Sequence, residues 1–79
     1  MDLDLRVLAE ASLAVGRAEG AAGEGAFRAA RDALDEAERA LADVRARWPE
    51  MGVSERAVVG RAGAPVRQRV DALARRLPR

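Results

Sequence analysis

From Phe27 to Trp48 the apolar positions are Phe27, Ala30, Leu34, Ala37, Leu41, Val44 and Trp48, spaced 3-4-3-4-3-4 without interruption. That alternation puts all seven on one stripe of an α-helix. The spacing predicts a helix over about residues 25–47, rich in the good helix formers Ala, Arg, Glu and Leu and ended by Pro49. With Phe27, Leu34, Leu41 and Trp48 at heptad position a, Ala30, Ala37 and Val44 fall at d, and Ala26, Ala33 and Ala40 at g. Alanine flanks let a neighbouring backbone approach closely. The absence of charge at g fits antiparallel packing in a bundle better than a long two-stranded zipper. Asp35–Arg39, Arg39–Asp43 and Asp43–Arg47 are spaced for i, i+4 ion pairs on the exposed side.

The remaining segments carry shorter versions of the same pattern. Leu5, Leu8, Ser12 and Val15 recur at 3-4-3 spacing, with Leu3, Val7 and Leu13 beside them. They predict a first helix over about 3–20, with Asp2 or Asp4 as N-cap. Gly16, Gly20, Gly23 and Gly25 then loosen the chain into a turn. After the loop at 49–54, Ser54 is a candidate N-cap for a short helix over about 55–62. Gly63 suits a C-cap, and Pro65 suits the first position of a last helix over about 65–77. Val66, Val70, Leu73 and Leu77 form the face of that last helix.

The expected fold is all-α. Residues 1–79 form one helical domain, a small antiparallel three-helix bundle whose third leg is broken at Gly63–Pro65. A second copy could complete it as a dimeric bundle.

Composition pushes the same way. Of 39 apolar residues, 19 are Ala, so few large side chains fill the core of a 79-residue chain. Chains this small often need a disulfide, a metal or a partner. With no Cys and no His, association is the staple left. The acidic start "MDLDLR" is unlike a signal peptide, and no uncharged run approaches a membrane span. A cytoplasmic protein without membrane contact is expected.

The chemical inventory is thin. His is the commonest neutral-pH general base, and zinc sites draw on His and Cys. Ser12 and Ser54 are the only hydroxyls. Ser12 is expected to be buried and bonded to a carbonyl one turn back. Asp32, Asp35, Glu36 and Glu38 alternate with Arg28, Arg31 and Arg39 and read as a solvated, salt-bridged face. No catalytic, cofactor-binding or metal-ligating residue is expected, and no cofactor.

Charge is unevenly distributed. Residues 1–48 hold seven Arg against ten acids, and residues 49–79 seven Arg against three. Opposite ends can attract within a chain or across an antiparallel dimer. The segment 54–76 loosely resembles the helix-turn-helix of bacterial repressors, with a short helix, a turn at Ala62–Gly63 and an Arg-bearing second helix. It departs from that pattern at Val59, where a small residue belongs, and at Arg69, where an apolar one does; no family is assigned. The basic half could also touch nucleic acid, with Arg61, Arg67, Arg69, Arg75 and Arg76 as candidate contacts and Arg79 nearby in sequence.

The function expected first is therefore a non-enzymatic helical interaction or assembly module that pairs with itself or with another helical protein. The seam Phe27, Ala30, Leu34, Ala37, Leu41, Val44 and Trp48 would be its contact surface, and Trp48 would close one end of the bundle. The alternative is a small nucleic-acid-binding regulator.

Overall fold

The computed structural model describes residues 1–78. It contains α1 (Asp2–Gly23), α2 (Phe27–Arg47) and α3 (Val53–Arg76), with a 3₁₀ turn at Trp48–Glu50 before α3. Among the described residues there is no strand. Ion pairs fix the directions. Asp4 near the start of α1 meets Arg47 at the end of α2, and Arg17 meets Glu36, so these two helices are antiparallel. The Met1 amino terminus meets Glu55 near the start of α3 at 3.6 Å, and Glu19 farther along α1 meets Arg69 farther along α3, so α3 runs parallel to α1. The result is the expected up-down-up arrangement of three packed helices, measuring 42 × 18 × 16 Å.

The first reversal rests on Gly25. It is the one described residue with positive φ, at 78°, a conformation open to glycine at little cost. The Ala26 N–H donates to the Ala21 carbonyl at 2.9 Å and the Gly25 N–H to that of Ala22 at 3.1 Å. These two bonds make a Schellman cap, which satisfies the last carbonyls of α1. The helix therefore runs to Gly23, past the expected end near residue 20. Ala18 is buried, and Ala21 and Ala22 pack on the core, which offsets the weak propensity of Gly20 and Gly23.

The core is built from Val7, Leu8, Ala11, Ala14, Val15 and Ala18 of α1, Ala30, Leu34, Ala37, Leu41 and Val44 of α2, and Val59, Val66, Val70 and Leu73 of α3. Alanines dominate the facing stripes of α1 and α2, so these two backbones approach most closely. The branched side chains of α3 hold it farther off.

Three local expectations need correction. α3 is one 24-residue helix with Pro65 inside it, so the third leg is not broken at Gly63–Pro65, and the helices expected at 55–62 and 65–77 are one element. Val59 and Val66 are buried on either side of the proline. Packing of both halves against the same core outweighs the lost backbone bond. The turn on which the helix-turn-helix resemblance depends is therefore absent. Ser54 is not a cap either: Gly52 occupies the N-cap position, α3 begins at Val53, and no side chain caps it. Asp2 and Asp4 likewise lie within the first turn of α1 and do not cap it. There they still complement the helix dipole.

Candidate interaction surface

The alternating seam divides into a covered middle and two open ends. Ala30, Leu34, Ala37, Leu41 and Val44 are buried by the chain's own α1 and α3, whereas Phe27 and Trp48 retain 48% and 37% of their surface in solvent. A periodic stripe reveals which residues share a face. It does not reveal where the covering helices stop, and both outliers sit where α2 meets a turn.

Trp48 leans across toward α3. Its carbonyl accepts from Arg56 Nε at 3.1 Å, and the Arg56 guanidinium lies 5.9 Å from the ring centroid, within cation–π range. The ring edge rests against Gly60, where an added Cβ would lie 3.4 Å from it. Next to Trp48 an open groove of about 340 Å³ runs between α2 and α3. Leu8, Leu41, Val44 and Val59 form its apolar lining, Gly60, Gly63 and Ala64 its α3 wall, and Arg45 and Arg67 its charged edges. The groove exists because α3 offers two glycines and an alanine opposite Leu41 and Trp48, leaving volume that larger side chains would fill. The signal in the sequence was the small-residue cluster at 60–64, which reads more readily as a helix break.

The five candidate nucleic-acid arginines are not one patch. Arg69 turns inward over α1. Its Nη2 and Nε donate to the two Glu19 carboxylate oxygens at 2.7 and 3.2 Å, and its Nη1 donates to Ser12 Oγ at 3.2 Å. Hydrogen bonding to Arg69 holds the Glu19 carboxyl below the usual carboxylate range, and the same contact raises Arg69. Ser12 thus serves as an acceptor for Arg69 across two helices, half-buried rather than buried. Arg67 pairs with Asp71 at 3.6 Å. Arg61, Arg75 and Arg76 are exposed and have no ion-pair partner among the described residues. Arg79 lies outside the described residues.

The Arg69–Glu19 and Arg47–Asp4 contacts were not legible in the sequence, because 50 and 43 residues separate the partners. Of the three i, i+4 pairs expected on α2, Asp43–Arg47 forms, at 3.0 Å; the other two do not among the described residues. Glu36 reaches Arg17 at 2.9 Å, while Asp32, Asp35 and Glu38 stand exposed. Among the described residues no three potential metal ligands come together, and no helix is long and apolar enough to cross a membrane.

Comparison with protein-family models, curated proteins and solved structures finds no match for this chain.

Proposed function

We propose that this protein is a non-enzymatic helical interaction module that self-associates. The observation that carries the reading is the apolar groove between α2 and α3, bordered by a tryptophan with 37% of its surface in solvent. A partly exposed Trp beside an unfilled apolar groove is the combination that anchors protein–protein contacts, and a partner helix would cover surface that the chain leaves to water. The small core of an Ala-rich chain adds to the drive for association.

Trp48 is the sole Trp, so its fluorescence reports the groove directly. Raising the concentration through the micromolar range should double the mass seen by light scattering and shift the emission to the blue. Trp48→Ala should shift the transition to higher concentration. A single-chain mass with unchanged emission throughout overturns self-association.

A second reading, nucleic-acid binding, draws support from three exposed arginines, Arg61, Arg75 and Arg76, that have no carboxylate partner among the described residues. It requires duplex binding that weakens steeply with salt and is lost when these three are changed to Ala. No binding at low salt removes it.

A further inference from the structure

We infer that a second copy docks antiparallel in the α2–α3 groove about a two-fold axis that passes beside α2, level with Leu41–Ala42, pairing Glu38 of each copy with Arg45 of the other. This deepens the self-association reading and rests on it.

Glu38, Leu41 and Arg45 follow one another at 3-4 spacing on α2, so they share a stripe of that helix. Leu41 and Arg45 border the groove. Glu38 and Arg45 are both exposed, and neither has an ion-pair partner among the described residues. They lie at equal distances along the helix on either side of the 41–42 midpoint. A two-fold axis there brings each carboxylate opposite the other copy's guanidinium, twice per dimer. Parallel pairing in register would instead set like charges against each other.

The occupant also fits the groove by charge. Its edges carry Arg45, without an ion-pair partner among the described residues, and Arg67, paired on its own helix with Asp71 at 3.6 Å. The α2 flank that antiparallel pairing presents to them holds Asp35, Glu38 and Ala42, spaced 3-4 and all exposed. Two carboxylates meet a basic rim, and alanine at the axis allows the two α2 backbones to approach. Such a contact is isologous: each copy supplies the same groove and the same acidic flank, so the assembly closes at two.

Sedimentation equilibrium of four chains tests it: wild type, Glu38→Arg, Arg45→Glu, and the two changes combined, each checked by circular dichroism for retained helix. Each single reversal should weaken dimerisation at least about tenfold, because it replaces two attractions per dimer by two repulsions. The combined chain restores both pairs with their signs exchanged and should return to within a few-fold of wild type. Glu10→Arg, on the exposed side of α1, should leave the dimer unchanged. A wild-type dimer indifferent to the single reversals, or a combined variant as weak as its parents, overturns this geometry and leaves self-association standing. A wild-type monomer overturns both.

Discussion

Arg47, near the end of α2, donates through Nε to Oδ1 of Asp4 in the first turn of α1 at 2.7 Å, across 43 residues of sequence. Its Nη1 lies 3.0 Å from Asp43. The α1–α2 hairpin is thus closed at both ends, at one by the Gly25 turn and at the other by this ion pair. The two acids differ in setting: the Asp4 side chain is almost wholly buried, and that of Asp43 is mostly in solvent. A carboxylate held out of water beside a guanidinium is the costlier one to lose. Asp4→Asn should lower the thermal midpoint clearly more than Asp43→Asn. Equal midpoints for the two variants would show that burial of Asp4 contributes nothing.

Leu34 is fully buried in the middle of α2, and Ala37, one turn on, is equally hidden. Leu34→Ala should cost about 2–5 kcal/mol in urea denaturation, the range for a buried leucine. Ala37→Glu should be at least as damaging, since it drives a charge into the closest helix contact of the fold. Unchanged denaturation midpoints would mean that this stripe is open to water.

Pro65 sits exposed inside α3, where it cannot donate to the carbonyl one turn earlier. Pro65→Ala restores that donor and removes a residue about 3 kcal/mol less favourable than alanine in a helix interior. A gain of about 1–3 kcal/mol is expected, part of the difference being returned by the greater freedom of the unfolded chain. No gain in urea denaturation would place the helix boundary at the proline after all.

Glu19 is held below the ordinary carboxylate range by Arg69. Its folded pKa is lower than its unfolded pKa, so the stability from this contact is present in full above about pH 5. It is lost as the pH falls through the folded value. Glu19→Gln should therefore lower stability near neutrality and flatten its dependence on pH in the acid range. Parallel acid-denaturation curves for the two proteins would contradict the pairing.

The difference between what the sequence displayed and what it hid follows from range. The seam of α2 was readable from end to end because period-3.6 patterning is local, and so was the three-helix outline. Gly63–Pro65 misled for the same reason. Both residues carry genuine local stop signals, and what overrules them is burial of Val59 and Val66 against helices far away in sequence. Arg69 looked like a surface cation suited to nucleic acid until its carboxylate partner on α1 was visible. The groove beside Trp48 is a volume left by small side chains on one helix opposite large ones on another, and no one-dimensional pattern records such a volume.

The close alanine-lined approach of α1 and α2 also bears on the order of events in folding. Two helices joined by a three-residue reversal can close from the turn outward, beginning with contacts of short sequence separation that form with little loop-closure penalty. The hairpin should be assembled at the rate-limiting barrier, with α3 arriving after it. A chevron analysis would then show substitutions at Ala14 or Ala37 slowing refolding, and substitutions at Val70 or Leu73 chiefly hastening unfolding.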